Sequence, residues 1–154
     1  MSLPPFQRFL DSHRDEVLRF LVGAVGPNEA EDCFQETFIA ALRAYPRLRP
    51  GSDLRAWVLT IARRKAIDAH RARARLAVPV GDAPDVAAPE APAPRDDAVW
   101  APVRALPAKQ RAAVVLRVVC DMAYADVARV MECSEEAARR SVHEGLRKLR
   151  GVTA

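Results

Sequence analysis

In the last quarter of the chain, Glu136, Arg139, Arg140, His143 and Arg147 recur on the side of a helical repeat left free by Ala138, Val142, Leu146 and Leu149. Guanidinium groups in such a row pair in bidentate fashion with guanine edges or hold phosphate oxygens, so their chemistry is recognition rather than catalysis. A second basic run, RRKAIDAHRARAR at 63–75, has six Arg or Lys against the single acid Asp68. A helix there sets Arg64, Arg71 and Arg75 along one side, suited to tracking phosphates. Trp57, just upstream, is spaced with Leu54, Val58 and Ile61 as a core residue would be. An aromatic beside a basic stripe also suits stacking on an unpaired base. Asp32, Gln35, Glu36 and Ile39 form a largely polar face, a pattern equally suited to protein docking and to plain solvation. No catalytic set emerges. Glu29, Glu31 and Asp32 complement a helix dipole, and His13, His70 and His143 lie in three separate elements without a nucleophile at recognisable spacing. Cys33, Cys120 and Cys133 are odd in number with no CxxC spacing, which excludes a disulfide framework and a zinc site; no cofactor or metal is expected.

The elements that must carry these residues are helices. Phe6, Phe9, Leu10, Val17, Leu18, Leu21 and Val25 predict a first helix, ended by Gly26-Pro27. Ala30, Cys33, Phe34, Thr37, Phe38, Ala41, Leu42 and Tyr45 predict a second. Past the Pro46–Gly51 turn, Ser52 or Asp53 caps a third, buried through Leu54, Trp57, Val58, Ile61 and Ile67. A short segment near Asp97–Ala105 begins the second group. Pro107 then opens a helix carrying Val114, Val115, Leu116, Val118 and Val119. Tyr124, Val127, Ala128 and Met131, a break at Glu132-Cys133-Ser134, and the helix of the basic row complete a helix-turn-helix, with Ser134 as N-cap.

Charge divides the same chain. Its 154 residues carry net +4, but residues 1–75 hold 13 basic and 9 acidic side chains, 76–98 hold 1 and 5, and 99–154 hold 10 and 6. Five of the 12 prolines crowd into 79–94. An all-α protein of two small helical domains, 1–75 and 99–154, joined by a flexible acidic Pro/Ala-rich linker at 76–98, is the economical reading. The N-terminus has neither a membrane-length apolar run nor a signal-peptide pattern, so a cytoplasmic protein without membrane insertion is expected.

Four stretches in order, AEDCFQETFIAALRAY, RPGSDLRAWVLTIARRKAIDAHRAR, ALPAKQRAAVVLRVV and YADVARVMECSEEAARRSVHEGLRKLR, resemble the extracytoplasmic-function (ECF) sigma factors of the bacterial sigma-70 family. The resemblance covers about residues 6–75 and 99–150, and implies a sigma-2-like three-helix domain and a sigma-4-like helix-turn-helix domain. It implies a non-enzymatic factor that binds core RNA polymerase, through the β′ clamp helices and the β flap, and directs initiation at promoters with −10 and −35 elements. It assigns Asp32, Gln35 and Glu36 to polymerase docking. Asp53, Trp57, Arg63, Arg64, Lys65, Arg71 and Arg73 fall to the −10 element, and Ser134, Glu136, Arg139, Arg140, His143 and Arg147 to the −35 element. Promoter DNA and an anti-sigma factor are the further partners it implies. The alternative is a helix-turn-helix regulator, or a sigma-like decoy, that does not direct polymerase. The chain departs from the family pattern at Glu132-Cys133, where glycine and an apolar residue are usual, and at Glu144-Gly145, where a carboxylate near DNA and a helix-weakening glycine are expected to blunt −35 reading.

Overall fold

The computed structural model describes residues 2–76 and 97–153, with side chains placed over 2–76 and 100–151. Every regular element among the described residues is helical. The stretch 77–96, which carries most of the expected linker, lies outside them.

Helix α1 (Phe6–Val25) buries Phe9, Val17, Phe20, Leu21 and Ala24 at three- and four-residue intervals. It stops at Gly26, whose φ of 88° lies in the region favouring glycine, and Pro27 starts α2 (Pro27–Ala44) where a helix needs no N–H. On α2 the inward residues are Ala30, Cys33, Thr37, Phe38 and Ala41. The buried Thr37 hydroxyl donates to the Cys33 carbonyl at 2.7 Å, so no polar group is stranded. A short 3₁₀ turn (Tyr45–Arg47) leads to α3 (Leu54–Leu76), capped by Asp53, whose Oδ1 accepts from Ala56 N at 3.1 Å. The three helices close around Phe9, which meets Phe6, Phe38, Tyr45 and Trp57 at centroid distances of 5.3–6.2 Å. A fully buried ring such as Phe9 contributes about 1.5–3 kcal/mol by leaving water.

The second group comprises α4 (Asp97–Arg104), α5 (Ala108–Val114), a π-helical turn (Val115–Val119), α6 (Tyr124–Met131) and α7 (Glu135–Thr153). Helix α7 crosses α5 closely because position 145 has no side chain: a Cβ there would lie 2.6 Å from Val114 Cγ2. Gly145 is therefore a packing requirement of this crossing.

Three expectations about inward faces are corrected. Leu18 and Leu42 are 40% and 55% exposed, because the neighbouring helices of the bundle cover narrower stripes of α1 and α2 than the periodicity suggests. On α3 the fully buried residues are Ala56, Val58, Leu59, Ala62 and Ala66, while Leu54, Trp57, Ile61 and Ile67 are half-buried; this helix is covered by α1 and α2 on one side and by α6 on another. Val118 points outward because the π-helical turn, with Cys120 N bonding Val115 O at 3.0 Å, advances the helical frame by a residue.

The two groups meet along a seam, and a single buried apolar cluster runs through both. At Gly23 on α1, a Cβ would lie 2.8 Å from Val115 Cγ2 and 3.1 Å from the Trp100 ring, so glycine permits the approach. Arg111 of α5 crosses the seam, donating to Ala24 O at 2.8 Å and to His70 Nε2 at 2.7 Å. Burial, then the Arg111 charge, holds the His70 pKa below its ordinary value, leaving a neutral ring to accept that bond. Arg55 of α3 forks onto Glu16 of α1, at 2.6 and 3.0 Å, and reaches the Cys120 carbonyl.

Candidate nucleic-acid and protein-docking surfaces

Helix α7 begins at a satisfied cap, with Ser134 Oγ accepting from Ala137 N at 3.1 Å. From it Glu136, Arg140, His143 and Arg147 rise in one exposed row, and the last three line an open groove together with Glu144 and Arg150. Arg139 lies to the side of that row: it pairs with Glu135 at 2.7 Å and stacks over the Tyr124 ring, 4.5 Å from the centroid. Arg117 lies over the same ring at 4.3 Å. Glu144 receives a bond from Gln110 Nε2 at 3.2 Å, which ties its carboxylate to α5.

The basic run on α3 divides. Arg63 and Arg64 turn toward the second group, where both meet the Glu132 carboxylate. Arg73 faces the other way and pairs with Glu29 of α2, and Lys65 is half-buried. Arg71 is exposed. The five basic residues assigned to the −10 element thus do not share one face. Trp57 is half-buried against Phe9 and Tyr45, with centroids at 5.7 and 6.3 Å. Asp53 uses both oxygens, one for its cap and one for Arg129 at 3.0 Å.

On α2, Asp32, Gln35 and Glu36 are exposed as a set, and beside them Ile39 and Leu42 are 51% and 55% exposed. Two aliphatic side chains thus stand half in water on a polar helix face, although periodicity places Leu42 inward. Sequence reasoning also passed over Arg55, Arg111 and Arg129, which join the two groups. No spacing marks such residues, since their partners across the seam lie from 41 to 87 positions away.

The cysteines are chemically unequal. Burial, followed by nearby carboxylates, pushes the Cys33 thiol up to about 11, and burial pushes Cys120 up to about 12. Cys133 is exposed in the turn before α7. Iodoacetamide at neutral pH is expected to alkylate Cys133 at least about tenfold faster than the other two, as read by peptide mass spectrometry. Equal labelling would show that α2 and the π-helical turn open readily. Among the described residues no group of His, Cys, Asp and Glu is arranged to hold a metal ion, and no helix is long and apolar enough to cross a membrane.

A capped basic helix after a three-residue turn, beside a three-helix group, defines a helix-turn-helix protein. Residues 9–76 match the family model for sigma-70 region 2, and residues 97–149 that for sigma-70 region 4. The chain is 34% identical to the ECF RNA polymerase sigma factor BldN of Streptomyces coelicolor over 94% of its own length and 58% of that relative's. It is 31% identical to the RNA polymerase sigma factor CarQ of Myxococcus xanthus, covering 94% of this chain and 87% of the relative. It is also 34% identical to the ECF RNA polymerase sigma factor SigD of Mycobacterium tuberculosis, covering 92% and 73%. Its fold is that of the sigma factor RpoE solved with the anti-sigma factor NepR from Bartonella quintana, with a TM-score of 0.78 at 22% identity over 96% of both chains. CnrH, solved with the cytosolic domain of CnrY, is similar at a TM-score of 0.73 and 21% identity, over 96% of this chain and 86% of that one. The chain belongs to the ECF group of the sigma-70 family. Membership places it among proteins that act by binding rather than by catalysing a reaction.

Proposed function

We propose that this chain is a cytoplasmic sigma factor that joins core RNA polymerase and directs initiation at promoters bearing −10 and −35 elements. The observation that carries the reading is the pairing, in one chain, of a docking face on α2 with an exposed basic row on a capped α7. Asp32, Gln35, Glu36, Ile39 and Leu42 make the polymerase contact at the clamp helices, and the second domain meets the β flap. Asp53, Trp57, Arg63, Arg64, Lys65, Arg71 and Arg73 serve the −10 strand, and Ser134, Glu136, Arg139, Arg140, His143 and Arg147 serve the −35 groove. Domains 1–75 and 99–154 divide this labour. Binding energy spent on an unpaired strand favours the melted promoter over the duplex, which is the physical content of initiation without chemistry. An anti-sigma protein is a fitting regulator, as in the solved complex of RpoE with NepR.

Run-off transcription with bacterial core polymerase over a randomised promoter library tests this. Transcripts from a subset sharing two elements about two turns of DNA apart are expected. DNA binding without association with core would instead identify a helix-turn-helix regulator, and association with core without transcripts would identify a decoy.

A further inference from the structure

We infer that the described arrangement is a self-locked state, in which the turn of the helix-turn-helix occupies the −10 strand surface and the Glu132 carboxylate takes the place of a promoter phosphate. The inference rests on assigning Asp53, Arg63 and Arg64 to the −10 strand.

Glu132 stands where a glycine suits best. It ends α6 in the left-handed region, at φ 55° and ψ 44°, while Cys133 N bonds back to Ala128 O at 3.1 Å. Glycine takes that position without a steric penalty, so a glutamate there is held by something its side chain does. What it does is cross the seam. Arg64 places Nε and Nη2 on the two oxygens of Glu132, a fork-to-carboxylate pairing, and Arg63 approaches the same carboxylate at 3.9 Å. The hydrogen bond from Arg64, followed by the Arg64 and Arg63 charges, also holds the Glu132 carboxyl below its ordinary range.

A guanidinium fork recognises a carboxylate and a phosphate with the same pair of parallel donors. With Nε and Nη2 on the two oxygens of Glu132, that edge of the Arg64 fork is taken from a phosphate. Arg63 is shielded by the packing around it, its side chain only 14% exposed. The same closure reaches the start of α3, where Arg129 of α6 bonds the Asp53 oxygen that the cap does not use. Three groups assigned to one promoter element are therefore engaged by two residues of the other domain. Closure and strand binding compete for the same groups.

The remainder of the seam sets its strength. Gly23 against Val115 and Trp100 supplies apolar contact, and Arg111 and Arg55 supply bonds to backbone carbonyls. A cavity of about 280 Å³ lies in it, walled from both sides by residues that include Phe20, Ile67, His70 and Ala112. The pairs through Glu132 and Arg129 are exposed and weaken with salt, so a polyanion or core polymerase can displace them.

The test uses the full chain with Cys133→Ser and spin labels at Ser12→Cys and Lys148→Cys, the two native cysteines that remain being buried. Pulsed dipolar spectroscopy reports the distance between the groups. Fluorescence anisotropy reports binding of a mixed-sequence single-stranded DNA of about a dozen nucleotides, without core. Glu132→Gly relieves the left-handed backbone and Glu132→Gln keeps it, yet both remove the charge. Both are expected to shift the distance distribution to longer values at low salt and to tighten strand binding about fivefold. Asp121→Asn, which removes an exposed charge elsewhere in the second domain, is expected to do neither. An unchanged distance in both Glu132 variants, or equal tightening by Asp121→Asn, would overturn the lock. Run-off transcription keeps the two readings apart: a chain that initiates with unaltered distances retains its function and loses the lock, whereas one that never initiates with core loses the function and, with it, the basis of the lock.

Discussion

Replacing Ile39 and Leu42 together by glutamine is expected to weaken association with core polymerase by roughly a hundredfold, about 2.8 kcal/mol, while leaving the unfolding temperature within about two degrees of the parent. The asymmetry follows from where the two side chains stand. At 51% and 55% exposed they leave half their surface in water, and Gln is as good a helix former as either. In the proposed complex the same surfaces leave water beside Asp32, Gln35 and Glu36, the setting in which a few residues carry most of the binding energy. Competition binding to labelled core, beside differential scanning calorimetry of the free chain, measures both quantities. Gln35→Ala with Glu36→Ala should give a smaller loss, since rim polar groups set orientation and rate more than affinity. DNA binding by α7 should be unchanged in all of these variants. Equal loss of core and DNA binding would mean that α2 supports the fold rather than docking.

The distance between what periodicity reveals and what it hides is visible on that same helix. Spacing alone located α1, α2, α6 and the start of α7 to within a residue or two, because each carries an apolar stripe and is bounded by Gly26-Pro27, by Pro46 or by the turn at 132–134. Ser134 is recognisable as a cap, and the cap of α3 is narrowed to Ser52 or Asp53, of which the structure uses Asp53, for the same reason: a cap is a local event, settled within three residues. Spacing misplaced Leu42 and the inward face of α3 because those depend on how wide a stripe the neighbours cover, a property of the assembled bundle. The split of the basic run, with Arg63 and Arg64 toward Glu132 and Arg73 toward Glu29, was equally out of reach. A helix shows which residues share a side, but not what stands opposite. The seam has no periodic signature at all. Its traces in the sequence are local conflicts, Gly23 inside α1 and Glu132 at a position that favours glycine, which contacts far along the chain account for.

Gly145 presents the opposite conflict, a glycine inside a helix where glycine costs about 1 kcal/mol relative to alanine. Its placement under Val114 makes a firm prediction. Gly145→Leu is expected to destabilise the chain by about 3 kcal/mol, lowering its melting temperature by roughly 6–12 °C, because a Cβ 2.6 Å from Val114 Cγ2 must push α7 off α5. Gly145→Ala sets the propensity gain against the same overlap, and Val114 is buried and unable to swing aside, so a net loss of about 1–2 kcal/mol is expected. The contact can be isolated by a double-mutant cycle. Val114→Ala alone leaves a cavity and costs stability, but in the Gly145→Ala background the new methyl enters the space that Val114 vacates. The two changes together should therefore cost at least about 1 kcal/mol less than the sum of the single losses. Additive losses would show that position 145 is small for a reason other than Val114. The variant also separates packing from recognition: α7 carries Arg140, His143 and Arg147 on the side away from α5, so its displacement should weaken −35 duplex binding while leaving the association of α2 with core unaltered.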